Sequence, residues 1–282
     1  MTPANGVARQ DHGLFGPDTV AWKVIGHPVA LIGGMRALII QSLHPLAMAG
    51  VAQHSDYRGR ALDRLRRTAA YVTATTFGDT ETAYAAAARV RAVHRRVRGI
   101  DPVTRRPYSA DDPDTQLWVH CVEWHSFLAV YRAYGGRLSP NEQDAYLAEG
   151  VRVAALLDVP PERVPASVVE MREYFKSVRP QLCISEQARE AIDFVTHPPL
   201  TRELLPLQVP LRVVARAAVA TVPRHLRALA GIEGPRSLDA ITAAAVRPAA
   251  AALTLPLLRD APGLVLGAEV RAVRDSARGM AA

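Results

Sequence analysis

Residues 86–99 read Ala86-Ala87-Ala88-Arg89-Val90-Arg91-Ala92-Val93-His94-Arg95-Arg96-Val97-Arg98-Gly99, and the spacing of their apolar members decides the fold class. Ala86, Val90, Val93 and Val97 recur at i, i+4, i+7 and i+11, one stripe of an α-helix. Gly99 follows where a helix C-cap is expected. Upstream, Leu62, Leu65, Ala69 and Val72 repeat the helical period. Downstream, Leu117, Cys121, Trp124, Leu128 and Tyr131 form a third stripe. Ser139 with Glu142 three residues on is a capping-box signature that opens a helix over 141–153. Proline-rich breaks separate these segments: Pro102, Pro107 and Pro113, then Pro160, Pro161 and Pro165, then Pro198 and Pro199. Strand-like alternation is scarce and no internal repeat is visible. The expectation is an all-α protein.

Composition agrees. The chain has 282 residues, 49% hydrophobic and 22% charged, which excludes disorder and collagen-like repeats. Two cysteines, Cys121 and Cys183, are too few for a disulfide scaffold and fit a reducing compartment. No linker divides the chain, so one domain over 1–282 is expected, with a core at about 14–200 and C-terminal amphipathic helices over 204–282. Residues 1–10 lack the pattern of a secretory signal, and the expected location is cytoplasmic. The most apolar stretch, Val29 to Ala52, is interrupted by Arg36, Gln41 and His44 and split by Pro45, so it reads as a buried helix pair rather than a membrane span.

The net charge of +7 comes from 34 basic and 27 acidic residues, and lysine occurs only at Lys23 and Lys176. Charge alone is a weak argument for nucleic acid, and no such partner is expected. Between Leu204 and Ile232, apolar residues alternate with Arg212, Arg216, Arg224 and Arg227, and Pro206, Pro210 and Pro223 cut the stretch into short helices. Such a segment either touches an anionic membrane surface from one side or packs as an ordinary helix with its arginines in water.

Phosphate and dinucleotide loops are missing: no Walker pattern occurs, and Gly33-Gly34 lacks the G-x-G-x-x-G register. Cys121 sits inside an apolar stripe, as inert core thiols do. His120 and His125 invite a metal reading, but five residues at about 100° each place their rings roughly 140° apart around a helix. The reversed His120-x-x-Glu123 order has no second copy to make a carboxylate-bridged site. His94 is different: it follows Val93 on the apolar stripe, with Arg91, Arg95, Arg96 and Arg98 around it. That arrangement suits either a core histidine or a haem ligand, with arginines to neutralise the propionates.

A set of short strings then carries a resemblance. Leu14-Phe15-Gly16-Pro17, Gln41-Ser42-Leu43-His44-Pro45, Arg64-Leu65-Arg66-Arg67-Thr68, His94 with Gly99, Tyr108, Asp112-Pro113 and Trp118-Val119-His120 occur in an order and spacing that resemble the MpaB-type oxygenase family, which includes the rubber oxygenases. Leu204-Leu205-Pro206 and the helix after it look like the family's tail. The resemblance implies an all-α fold with a globin-like core and haem b between helices. It implies His94 as the axial iron ligand and Arg64 and Thr68 as residues that hold the haem. Where rubber-cleaving members carry a lysine able to cap the iron, this chain has Arg67. A guanidinium stays protonated and is a poor ligand, so Arg67 is expected to act as a distal hydrogen-bond donor in catalysis.

The implied function is a haem-dependent oxygenase, with O₂ bound at an iron ligated by His94 and an apolar, unsaturated or aromatic small molecule as substrate. A non-catalytic haem-binding protein of the same fold, or a peroxidase-like enzyme, would use the same residues. No acid stands at Met48 or beside it, where rubber-cleaving members place a carboxylate base, which counts against a polyisoprene substrate. His44 and His120 match family motifs or simply tie helices together. His54 is open to either the pocket or solvent.

Overall fold

The computed structural model describes residues 11–56, 59–197, 208–255, 257–258 and 261–281. They form an all-α fold: α1 (Val20–Gly26), α2 (Ala30–Gln41), α3 (Pro45–His54), α4 (Ala61–Phe77), α5 (Thr80–His94), α6 (Pro113–Val130), α7 (Pro140–Ala155), α8 (Val168–Val178), α9 (Glu186–Thr196), α10 (Gln208–Thr221), α11 (Arg224–Ala230), α12 (Arg236–Ala252), α13 (Ala261–Leu266) and α14 (Ala268–Ala281). One small antiparallel hairpin interrupts them, β1 (Arg98–Ile100) with β2 (Pro107–Ser109), in the register Gly99 opposite Tyr108.

The centre is α6. Asp112 caps it by accepting from the Thr115 amide at 2.9 Å, and Pro113 starts it where no amide hydrogen is needed. Its stripe of Leu117, Cys121, Trp124 and Leu128 is buried as the spacing predicts, and Tyr131 is buried in the π-turn (Tyr131–Gly135) that continues it. Against α6 lies α2, the most extensive helix pair in the molecule. The approach is close because position 33 is glycine: a Cβ there would sit 2.7 Å from Phe127 Cδ1 and 3.2 Å from Phe127 Cα. The break before Pro45 separates α2 from α3, as expected for Val29–Ala52. Among the described residues no single helix is long and apolar enough to cross a membrane; α1 and α2 pass together by length and composition, but they are bent by 88°.

The capping box at Ser139 and Glu142 is present and opens α7. In turn α7 sends Glu149 to the first turn of α1, where it accepts from the Val20 and Ala21 amides at 3.1 and 2.6 Å. A carboxylate is favourable at that helix end.

Three local expectations are corrected. The α5 helix ends at His94, and its cap is Arg95 rather than Gly99, because the chain turns there into β1. Gly99 serves the hairpin instead: a Cβ would meet the Tyr108 hydroxyl at 2.6 Å and Gln53 Oε1 at 2.9 Å. The stripe also fails at its ends. Val93 is 60% exposed, because the last turn of α5 directs His94 inward in its place, and Leu62 and Leu65 are exposed on α4. Finally, the arginines of α10 and α11 do not all face water. Arg212 and Arg224 do, but Arg227 is buried and grips Asp239 with Nη1 at 2.9 and 3.1 Å, and Arg216 bonds the same carboxylate. Leu204-Leu205-Pro206 lies outside the described residues.

The neighbouring glycines of α2 provide a test. Gly33→Ala must push Phe127 or its backbone aside, and such overpacking costs about 1–3 kcal/mol. Position 34 has nothing within 4 Å of an added Cβ, so Gly34→Ala should stabilise by about 0.5–1 kcal/mol through helix propensity. Urea unfolding of the two variants should therefore give shifts of opposite sign.

Candidate functional site

The α4 and α5 helices form an antiparallel hairpin joined by Gly78 and Asp79, with Asp79 capping α5 by accepting from the Thr82 amide at 2.9 Å. Arg64 lies 13 residues before the end of α4, and His94 lies 14 residues after the start of α5. At 1.5 Å per residue both stand about 20 Å from the turn. The hairpin therefore brings Arg64 and His94 to the same level although 30 positions separate them. Arg64, Thr68, Tyr71 and Thr75 follow at i, i+4, i+7 and i+11 along one face of α4. The opposite side of α4 is taken by α13 and α14, where Arg66 Nε donates to the Val265 carbonyl at 3.2 Å. The Arg64 face therefore turns away from that cover.

It faces α6 across a separation. The two hairpin helices pack on each other, but neither packs closely along α6. At the turn end, α1 bridges the two sides, with Trp22 edge-on to Phe77 at 4.9 Å. At the other end, Arg64 Nη1 donates to Ser55 Oγ beyond α3 at 2.9 Å. On the far wall, Gln116, His120 and Glu123 occupy i, i+4 and i+7 of α6.

Buried polar atoms without a hydrogen-bond partner concentrate here: His94 Nδ1, Tyr71 Oη, Gln116 Oε1 and, from α7, Tyr146 Oη. Interior polar groups are normally satisfied, so this concentration marks a place built for something other than protein. Burial pushes the His94 pKa down, with Asp111 and Gln116 opposing, so its ring is neutral near pH 7 and able to bind a metal. Burial takes His120 down to about 3 and raises Glu123 to about 7. The Tyr71 hydroxyl is raised by burial first and by the Glu123 charge second.

Thr68 and Arg67 lie in the exposed half of α4, and Arg67 makes no ion pair with a described residue. Of the arginines around His94, Arg91 donates to the Leu156 carbonyl and lies 3.7 Å from Asp158, and Arg98 pairs with Asp111 at 3.0 Å. Arg95 and Arg96 are exposed. His54 contacts the Arg98 carbonyl and the Tyr108 hydroxyl through Nε2, both at 3.1 Å, and so ties α3 to the hairpin. His44 begins α3 and stacks at 5.6 Å on Trp118. His125 points to a different side of α6 from His120, toward Phe175 and Arg36 Nη2 at 3.4 Å. Cys121 is buried and its thiol is pushed far up. Among the described residues no three His, Cys, Asp or Glu side chains gather as a metal site. A haem needs only one such ligand from the protein.

Sequence reasoning did not single out Tyr71, Gln116 or Tyr146, and it weighed Glu123 only with His120 as half of a carboxylate-bridged metal site. Tyr71 was discoverable as the next position on the helix face of Arg64 and Thr68. Tyr146, on a separate helix, had no local signal.

A helical protein with a polar-lined cleft between a helix hairpin and its central helix, and one neutral imidazole at the cleft's end, is the class defined by this geometry. The chain belongs to the family described as ER-bound oxygenase mpaB/B'/rubber oxygenase, catalytic domain, whose model matches residues 22–254. The match runs past the end of α12, so α10, α11 and α12 are part of the family's domain. Neither a curated protein nor a solved structure matches the chain.

Because His120 is held neutral inside, the unfolded chain takes up a proton below pH 6.5 that the folded chain refuses. Stability therefore falls as pH drops from 6.5 toward 3. Between pH 6.5 and 4.5, wild type should lose about 2 kcal/mol relative to His120→Gln, the slope rising from half of about 1.36 kcal/mol per pH unit at pH 6.5 toward its full value. Urea unfolding of both proteins at the two pH values measures it, and parallel losses would show that His120 is solvated.

Proposed function

We propose that this chain is a haem b-dependent oxygenase acting on an apolar, unsaturated or aromatic small molecule. The family is one of oxygenase catalytic domains. The observation that carries the haem reading is the buried, unpartnered Nδ1 of His94 at the end of a cleft with further orphaned polar groups. These residues fit the group: a neutral imidazole for the iron, and an arginine and a threonine one helical turn apart near the same end. Bound haem supplies an iron centre able to activate O₂.

The chain's own residues then do four things. His94 holds the iron from the end of α5, kept unprotonated by its burial. Arg64 and Thr68 bind the propionates, the guanidinium by a charge-assisted fork and the hydroxyl as a donor. Arg67, three residues on and so about five-sixths of a turn from Arg64 on the flank of the same face, would offer hydrogen-bond donors to a bound ligand, and its guanidinium cannot itself become a ligand. The far wall and the Trp22–Phe77 contact at the closed end keep bulk water out.

His94→Ala should abolish stable haem incorporation with helix content unchanged. Haem retained with an unaltered iron spectrum would reassign the ligand to His120 or His44. Arg64→Ala and Thr68→Ala should keep the ligand but lower haem affinity. A charge-assisted contact contributes about 1.5–3 kcal/mol, or about one to two decades; titration of the apoprotein with haem reads it directly. Arg67→Lys should introduce, at alkaline pH, a new low-spin iron spectrum as the amine loses its proton, and Arg67→Ala should slow substrate oxidation with haem content unchanged. Wild-type spectra and rates in both variants would leave Arg67 as a surface residue.

A further inference from the structure

The carboxyl of Glu123 has no use in the fold. It makes no hydrogen bond or ion pair with any described residue, although it lies at the middle of the central helix between the buried Val122 and Trp124. A structural carboxylate at such depth is normally paired, because an unpaired buried charge is expensive. Glu123 is not sealed in, however. Part of its surface stays accessible while its neighbours are closed off, as expected of a side chain that lines an internal space.

Which space follows from its helix face. Gln116, seven residues earlier on the same face, is the neighbour of His94. The Glu123 charge acts on the hydroxyls of both Tyr71, from α4, and Tyr146, from α7. Those two hydroxyls are buried and have no partner. A carboxyl and two phenols, from three helices, thus converge on the cleft with their hydrogen-bonding capacity unspent.

We propose that Glu123 is the acid–base residue of the cleft: its carboxylate takes the proton of a ligand bound between the α4–α5 hairpin and α6, and its acid form returns one, with Tyr71 and Tyr146 orienting the ligand. The exchange is a proton transfer alone, O–H bond formed on Glu123 as the ligand's bond to hydrogen breaks, with no change of oxidation state. The inference rests on the haem reading for the identity of the neighbouring group, not for the cluster itself.

The surroundings favour such a role near neutral pH. Burial alone lifts the Glu123 pKa to about 7, with no charged group contributing. Facing it are neutral groups: Tyr71 from α4, Tyr146 from α7 and His120 from its own helix, whose ring burial keeps unprotonated. Arg91 of α5 and Glu149 of α7 act on the two tyrosines but not on Glu123. General acid–base groups work best when their pKa lies near the operating pH.

Two measurements test this on the full chain. Infrared difference spectra between pH 5.5 and 8.5, which need no haem, should show a protonated-carboxyl band that titrates near pH 7 and is lost in Glu123→Gln. With the haem-loaded ferric protein, cyanide is the probe, because hydrogen cyanide must surrender its proton to bind as the anion. Its association rate should show an inflection near pH 7, and Glu123→Gln should remove the inflection and slow association by at least about tenfold. Glu123→Asp should restore part of the rate. If the band is absent, or if cyanide binds Glu123→Gln with the wild-type rate and pH profile, the proposal is overturned. If the chain takes up no haem, the haem reading falls while the infrared titration still decides whether Glu123 exchanges a proton.

Discussion

The rest of the structure depends on the contact between Gly33 of α2 and Phe127 of α6. Because no side chain stands between them, α2 lies against the backbone of α6 and buries one side of it. With that side occupied, the helix can offer only its other face to the α4–α5 hairpin. The hairpin is held by different means, through α1 at the turn end and α14 along its outer side, so it need not close on α6. Tight packing on one side of a helix and separation on the other is what leaves a cleft between helix and hairpin.

The polar groups along that cleft are arranged in order. His94 and Gln116 stand at the Arg64 end, and Tyr71, Glu123 and Tyr146 stand deeper. The neutral forms of the histidines and the raised carboxyl have one origin, removal from water, which disfavours charge whatever its sign. The same burial thus keeps an imidazole neutral at one end and lifts a carboxyl at the other.

Much of this was legible in the chain. Helical spacing gave the class and the buried stripe of α6, and Ser139 with Glu142 located the start of α7, because both are local signals. The basic surroundings of His94 were legible; the inward turn of its ring at the end of a hairpin was not. What could not be read were relations between distant elements. Val93 fits a helical stripe, but nothing local says that α5 stops one residue later. Gly99 looks like a cap until Tyr108 is seen lying over it. Tyr146 joins Tyr71 and Glu123 only through the packing of three helices, for which a single sequence has no period.

The C-terminal helices bear on where this domain can be cut. Arg36 is almost completely inaccessible and has no carboxylate among the described residues; its Nε donates to the Thr221 carbonyl at 3.2 Å and Nη1 to Ser126 Oγ at 2.6 Å. Tyr134 likewise donates its hydroxyl to the Ala217 carbonyl of α10 at 3.0 Å. A protein shortened to its first 200 residues would keep every residue proposed to hold a haem, yet it would strip a buried cation of a backbone acceptor and uncover the side of α2 that α10 covers. The minimal folding unit is therefore larger than the minimal binding site, and α10 is as much a wall of the interior as α2 is.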